Sequence, residues 1–244
     1  MNKIILTNNK STVTINKNST NTIIYQNSKR LLLNVEKNIT TNIIIITNNE
    51  LHKVNNTINI KENSNVCFKI FYNNKQTIDN TTINLLEKLS TINYHLSAIS
   101  HINSNITINI NHLSHNTKSN IINNVVNLAN ATTNIIINSY LPVNTNNCYL
   151  NQKSVIITNK RSTNSIKPNM YINNNQVTAK HGSVIAPINN NQLLYLMSKS
   201  LSKEESIRLI INGILLSHLQ LPDKQKQKIQ DTIIKCCFNN KLQI

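Results

Sequence analysis

The chain has 244 residues, 39 % of them hydrophobic and only 4 % aromatic, with a formal net charge of +16 at pH 7; this length suits one large domain or one domain with a small appendage. No apolar run approaches the ~18 residues of a membrane helix, and Ile4-Ile5-Leu6 is too short for a signal peptide, so we expect a soluble protein of the cytoplasm or of an organelle stroma. The 25 Lys and Arg are scattered, without a dense basic block or interleaved aromatic residues, which argues against nucleic acid as a partner.

From about residue 3 to residue 188 the sequence consists of short β-branched runs broken by polar clusters. Several runs alternate apolar and polar residues with period two, as strands with one buried face do, and examples are STVTI at residues 11–15 and NITINI at residues 105–110. Asn replaces Gly in the turns because it tolerates a positive φ. Residues 81–97 could be helix or strand. The pattern predicts a mainly β region over residues 1–188, and it leaves a sandwich, a barrel and a β-solenoid open because no clean fixed-period repeat is visible.

After Pro187 the spacing of apolar residues becomes helical. Residues 191–197 predict a short helix, and Ser202 with Glu205 three residues later predicts a capping box that opens a second one. The apolar face of the second helix consists of Ile207, Ile210, Ile211, Ile214, Leu215 and His218. A final helix from about Asp223 carries the stripe Ile229, Ile233, Ile234 and Cys237. We therefore expect a small helical appendix over residues 189–244.

The residue types that usually mark a catalytic or metal centre are sparse in this chain. Its four cysteines form no CxxC pair, so their spacing predicts neither a zinc site nor a set of disulfides. This cysteine usage favours a reducing intracellular compartment. Nine acidic residues supply no recognisable Ser-His-Asp set or carboxylate pair, and no phosphate-binding Gly-rich loop exists. We therefore expect a protein that is not an enzyme.

The C-terminal half resembles the SufB/SufD family of iron–sulfur cluster assembly proteins. In residues 112–119 a His is followed seven residues later by a Ser, as in a strand of that family. The runs KPNMYI at residues 167–172 and VTAKHGSVI at residues 177–185 are similar to its P-x-L-x-I strand and S-H-G-A-T motif. Residues 193–199 and 202–206 are similar to its two following helices. Each piece is weak alone, but their order and spacing over about half of the chain are specific.

The resemblance implies a fold, partners and a branch of the family. It implies a right-handed parallel β-helix that pairs edge-on with a SufB-like subunit and docks a SufC-like ABC ATPase through its C-terminal helices. Gly182 follows His181 where SufB usually has Glu, and Gln152 stands where SufB-type proteins place a cluster-building Cys. Both positions favour the SufD branch, with a SufB-like scaffold as the alternative. Any ATP hydrolysis then belongs to a partner.

The resemblance also nominates site residues. His181 matches a proposed cluster ligand at the subunit interface, and His112 is a second metal-ligand candidate, since neutral imidazole suits iron. His112 and His115 lie three apart, so in a strand they face opposite sides. We expect no stably bound cofactor, only a transient iron–sulfur cluster at the partner interface. The residues expected to dock the ATPase are Leu194, Tyr195, Glu204, Glu205, Ile207 and Ile211.

Two further readings follow from the residues alone. The apolar residues of the second helix could simply cap the end of a solenoid rather than bind a partner. A basic β-solenoid that binds polyanionic surfaces is the alternative from another functional class, and it predicts salt-dependent binding. A polysaccharide-cleaving β-helix enzyme would need grouped carboxylates, which nine acidic residues make improbable.

Overall fold

A computed structural model describes residues 2–25, 29–128, 130–158 and 162–239. The strands are β1 (Asn2–Leu6), β2 (Lys10–Ile15), β3 (Ser19–Tyr25), β4 (Arg30–Val35), β5 (Thr40–Thr47), β6 (Leu51–Ile60), β7 (Asn65–Tyr72), β8 (Gln76–Leu85), β9 (Thr91–Ser100), β10 (Asn103–His112), β11 (Lys118–Asn127), β12 (Thr132–Leu141), β13 (Cys148–Ile157), β14 (Asn164–Ile172) and β15 (Val177–Ala186). The helices are α1 (Asn190–Ser198), α2 (Lys203–Leu216) and α3 (Asp223–Asn239). The segment at residues 81–97, ambiguous in the sequence, belongs to β8 and β9.

The strands wind into a parallel β-solenoid with one strand of each sheet per turn. The odd-numbered strands form one sheet, here sheet A, and the even-numbered strands form a second, sheet B. Each strand pairs in parallel with the strand two further along the chain, for example β8 with β10 and β9 with β11. The predicted β-helix core with a C-terminal helical appendix is confirmed, and of the three architectures left open by the strand pattern the solenoid is the correct one.

The interior is filled by the inward-facing residues of both sheets. Along β6 and β10 every second residue is buried, as alternation of side chains across a strand requires. Ile58, Ile83 and Ile110 follow one another in register on successive rungs of sheet B, and all three are fully buried. This stacking of identical β-branched side chains places many of the isoleucines of the chain in its core.

The turns use Asn for a backbone conformation that Gly usually supplies. Asn38, Asn63, Asn116 and Asn147 all have φ between 52° and 59°, and no Gly of the described residues has a positive φ. The main-chain N–H of Asn63 donates to Lys88 O on the next rung, and equivalent bonds leave Asn38 and Asn116. The expectation that Asn replaces Gly in the turns is therefore confirmed.

The helices pack along the flank of the solenoid, on the outer face of sheet A. Phe71, Ile99, Val126 and Ile157 of that face share one core with the helical residues Ile207, Ile210, Ile211, Leu215, Ile229 and Ile233. Ser97 Oγ donates to Leu215 O at 2.6 Å and Lys69 Nζ donates to Gln220 O at 3.0 Å. The helices thus cover a sheet rather than the end of the solenoid. The interpretation that the apolar residues of the second helix cap the end of the solenoid is therefore wrong.

The helix boundaries agree with the sequence predictions, but one apolar stripe differs. Ser202 and Glu205 form the predicted capping box at the start of α2. In α3 the residues that face sheet A are Ile229, Ile233 and Cys236, while Ile234 is 37 % exposed. Cys236 lies seven residues after Ile229 and therefore on the same helix face. The side chain of Cys237, assigned to this stripe from the sequence, lies outside the described residues.

The loop between β15 and α1 contains the boundary predicted near residue 188. Within the described ranges, none of the helices combines the length and the apolar character that crossing a bilayer demands.

Candidate interface at the open C-terminal rung

The last turn of the solenoid, formed by β14 and β15, carries no further rung on top of it. β14 pairs only with β12 and β15 only with β13, so each leaves one edge without a partner in the described part of the chain. Every residue of these two strands is at least partly exposed, whereas buried residues recur along β13. Val184 and Ile185 are 50 % and 44 % exposed. An unpaired edge that carries apolar side chains is a template for a strand of another chain.

His181 lies at the mouth of the solenoid interior. In the parallel register of β13 and β15, His181 is the partner of Gln152, whose side chain points inward and is only 1 % exposed. Side chains in register stack in columns, so His181 continues this inward column one rung further, where no rung covers it. The imidazole is consequently exposed and accessible to a group supplied from outside.

The side chain of Gln152 is the polar group that lies one rung below His181 in the solenoid interior. Its amide Nε2 donates to Ser139 Oγ at 2.8 Å and to Asn169 O at 3.2 Å. Its buried Oε1 has no hydrogen-bond donor among the described residues. A buried amide oxygen without a donor costs free energy, and the uncovered column directly above it is where a donor can approach.

Gly182, beside His181, is not required by the fold of this chain. Its φ is not positive, and a Cβ built on it would meet nothing within 4 Å. Neither backbone conformation nor packing within the chain explains a residue without a side chain here. A surface that must admit another backbone closely would explain it.

His112 has a structural position within the chain. It is fully buried at the end of β10, with Nδ1 2.7 Å from Thr117 Oγ1 and Nε2 2.9 Å from Ser119 Oγ. Burial lowers its pKa to about 4, so the ring is neutral and links the end of β10 to the following turn and to β11. The His and Ser seven residues apart, noted in the sequence, are thus hydrogen-bond partners. A metal could bind His112 only by displacing one of these hydroxyl groups.

Neither His115 nor the free thiol of Cys148 completes a metal site at His112. His115 lies in the turn after β10 and is exposed, so it is not on the opposite side of the same strand as the sequence spacing suggested. Cys148 is 2 % exposed, with Sγ 3.2 Å from Thr117 Oγ1. Across the four described ranges, no three or more His, Cys, Asp or Glu side chains come together as a metal site.

The predicted docking residues fall into an exposed and a buried group. Leu194 and Tyr195 on α1 are each 62 % exposed, and Glu204 and Glu205 are exposed at the start of α2. Lys199 Nζ lies 5.6 Å from the centre of the Tyr195 ring. Leu193 and Leu196 of the same helix are partly buried against the flank core, so Leu194 and Tyr195 are on the side of α1 that faces solvent.

Ile207 and Ile211 belong to the buried group. Their side chains are 9 % and 0 % exposed, and they pack with Phe71, Ile99 and Val126 of sheet A. These contacts hold α2 against the chain's own sheet. The two isoleucines therefore position the helices and do not themselves offer a surface to another protein.

The sequence did not reveal a pair of stacked tyrosines at the same end. Tyr140 and Tyr171 are register partners on β12 and β14, with ring centroids 4.8 Å apart and planes within 7°. Tyr171 is 49 % exposed and occupies the last rung, so one ring face remains uncovered. The only signal was one Tyr on each of two strands, which becomes meaningful when the strand register is known.

A comparison with known protein families agrees with this architecture. The family described as SUF system FeS cluster assembly, SufBD core domain, matches residues 4–214. The match spans nearly all of the solenoid and most of α2. No curated protein matches the chain significantly.

Proposed function

The chain belongs to the SufB/SufD core-domain family of iron–sulfur cluster assembly proteins, and on that premise we propose that it is a SufD-type scaffold subunit with no catalytic site of its own. The observation that carries the proposal is the open rung β14–β15, which presents an unpaired edge, exposed apolar side chains and His181 together. Four of the carboxylates lie in surface ion pairs, which fits a non-catalytic role, and they belong to Glu36, Glu50, Glu62 and Glu87.

The partner proposed for the open rung is a SufB-like subunit. A strand that pairs with β15 would satisfy its free N–H and C=O groups and would cover Val184 and Ile185. The uncovered face of Tyr171 would gain a stacking partner on the neighbouring strand. Edge pairing of this kind extends both sheets without rearranging either chain.

The SufD branch is favoured by the position below His181. A SufB-type chain resembles this one but carries a Cys there, whereas Gln152 offers a neutral amide whose nitrogen is already bonded to Ser139 and Asn169. We infer that this subunit supplies an imidazole to the interface and that the thiolates come from the partner. A transient iron–sulfur cluster is thus cargo held between two chains, with the imidazole of His181 as the ligand from this side.

The proposed site for a SufC-like ABC ATPase is the exposed surface of α1 and the start of α2. Leu194 and Tyr195 would fill an apolar groove, while Glu204 and Glu205 would meet basic side chains at its rim. Ile207 and Ile211 contribute indirectly, since they anchor α2 to sheet A. ATP hydrolysis would belong to that partner.

Co-purification of tagged variants from cells that contain the partners tests the pairing proposal. Val184→Lys places a charge on the edge of β15, and we expect it to lose the SufB-like chain by at least about tenfold while retaining the ATPase. Ile5→Lys is the matched control, because Ile5 is 48 % exposed on β1, the edge strand at the other end of sheet A. Equal loss in both variants would contradict the assignment of the interface to β15.

Two further variants separate the roles of the site. His181→Ala should keep both partners and lose cluster transfer, with His115→Ala, another exposed histidine, as its control. Tyr195→Ala should reduce capture of the ATPase alone. Recovery of the ATPase without another family member would transfer the assignment to a SufB-like scaffold, and recovery of neither partner would overturn the proposal.

A further inference from the structure

The solenoid gathers cations that are scattered in the sequence. The register places Lys10 beside Arg30 on the outer face of sheet B, and Lys53 lies two residues before Asn55, the register partner of Arg30. Lys29 directly precedes β4. Together these four side chains, with Asn9 and Asn55, line a cleft of about 410 Å³, here called the N-terminal basic cleft.

The lysines of the cleft are not neutralised by acidic side chains. None of the described residues that line the cleft is a carboxylate, and Lys10, Lys29 and Lys53 form no ion pair with any described residue. On nearby rungs Lys37, Lys61, Lys75 and Lys88 all pair with Glu side chains. Gathering like charges around a space without a carboxylate in its lining opposes folding through their mutual repulsion. A bound anion would offset this repulsion, because each of the cations attracts it.

The lining of the cleft restricts the chemistry of the ligand. Among the described residues that line the cleft, none has an aromatic side chain on which a base could stack. Four cations converge on one concave space of limited volume instead of forming a long stripe along the sheet. Lys and Arg are the usual ligands of phosphate groups, and the amides of Asn9 and Asn55 add hydrogen-bonding capacity.

We propose that the N-terminal basic cleft binds a small polyanion of the polyphosphate class, either inorganic or the phosphate chain of a nucleotide. Four converging cations match the charge of three linked phosphates better than that of one phosphate. The cleft lies at the N-terminal end of sheet B, and β14 is the last strand at the other end. The proposal is therefore independent of partner pairing at the open rung.

Isothermal titration calorimetry of the full chain with inorganic tripolyphosphate tests the proposal. The double variant Lys29→Gln/Arg30→Gln should weaken binding by at least about tenfold. The matched control Lys167→Gln/Lys180→Gln removes two exposed cations from β14 and β15 and should bind as the wild type does. Affinity should also fall steeply as salt rises, because screening acts on exposed charges.

The choice of titrant identifies the source of the phosphate. Similar affinities for tripolyphosphate and ATP would support recognition of the phosphate chain alone, and binding of ATP without tripolyphosphate would overturn it. Equal weakening in both double variants would assign the effect to net charge and refute the cleft. Tighter binding of single-stranded RNA than of tripolyphosphate would also refute it, in favour of an extended surface. Co-purification with a SufB-like chain should be unchanged in Lys29→Gln/Arg30→Gln, whose residues lie outside β14 and β15, so failure here leaves the proposed function untouched.

Discussion

Asp79, a fully buried carboxyl group in the solenoid interior, permits a test of the core itself. The Tyr72 hydroxyl donates to its Oδ2 at 2.8 Å and the Thr81 hydroxyl donates to its Oδ1 at 2.6 Å. Burial raises the pKa of Asp79 from 3.8 to about 6, because these two hydrogen bonds offset only part of the desolvation of a carboxylate. The variant Asp79→Asn keeps the size of the side chain and removes its titration.

The raised pKa determines the sign and the size of the change in stability that Asp79→Asn causes. The folded chain holds the proton of Asp79 more tightly than the unfolded chain does, so this stabilising contribution is complete below pH 3.8 and is lost as the pH rises through about 6. A shift of about two pKa units corresponds to about 3 kcal/mol. Since the amide introduced by Asp79→Asn cannot ionise, we expect the variant to gain about 3 kcal/mol relative to the wild type between pH 4 and pH 7.

Two buried histidines change the free energy of unfolding with pH in the opposite direction to Asp79, over the same pH range. Burial lowers the pKa of His52 and of His112 to about 4. Unfolded histidine takes up a proton below pH 6.5, so their contribution is present above that pH and is lost as the pH falls through about 4. The pH profile of the wild type therefore combines opposing slopes. The difference between wild type and Asp79→Asn isolates the carboxyl group, because both histidines are unchanged.

Urea unfolding followed by circular dichroism, at steps from about pH 4.5 to about pH 8, measures this difference. Asp231→Asn removes an exposed carboxylate of α3 and serves as the control, with a difference from wild type that stays small at every pH. A constant difference between Asp79→Asn and wild type over the whole range would refute the raised pKa. A variant that is less stable than wild type at the upper end of the range would show that ionised Asp79 stabilises the core through its two hydrogen bonds.

Two further changes test the turns and the flank. Leu89 has a φ of 59° and is 50 % exposed, in the turn that accepts a hydrogen bond from Asn63. Leu89→Asn should raise the free energy of unfolding by about 0.5–1 kcal/mol, since Asn tolerates this conformation better than Leu does. A urea midpoint below that of the wild type would contradict this reasoning. Ile211→Ala should lower the free energy of unfolding by about 2–5 kcal/mol because the side chain is fully buried against sheet A. The control Leu209→Ala changes a side chain that is 52 % exposed and should alter this free energy by less than about 0.5 kcal/mol. Equal effects in thermal melts of the two variants would refute the packing of α2 against sheet A.

The solenoid could not be derived from strand pattern alone because its turns differ in length. Residues that hydrogen-bond between neighbouring rungs are 19 apart for Asn2 and Asn21, 25 apart for Asn38 and Asn63, and 31 apart for Asn120 and Asn151. The strands keep one register while the loops between them grow, so no fixed period appears in the sequence. Alternation within each strand, which depends only on local geometry, predicted the β content correctly.

The candidate site was predictable only where its residues follow local rules. The capping box of α2 depends on two residues three apart, and the sequence identified both. The roles of His112 and Ile211 depend on what packs against them, namely Ser119 and sheet A, and spacing along the chain does not reveal this. The same holds for the N-terminal basic cleft, since Lys10, Lys29 and Lys53 become neighbours only when three rungs are stacked.

The position of the helices decides what the C-terminal end can do. Had α2 capped the last rung, the edge of β15 and His181 would be covered, and the C-terminal end of the solenoid could not pair with a second subunit. Ile207 and Ile211 instead bind the flank of sheet A, which completes a hydrophobic core while leaving the rung exposed. The exposed residues of α1 lie on a separate element and share no residue with β15. Pairing through the rung and docking through the helices should therefore be separable by mutation, as two sites without shared residues are expected to behave additively.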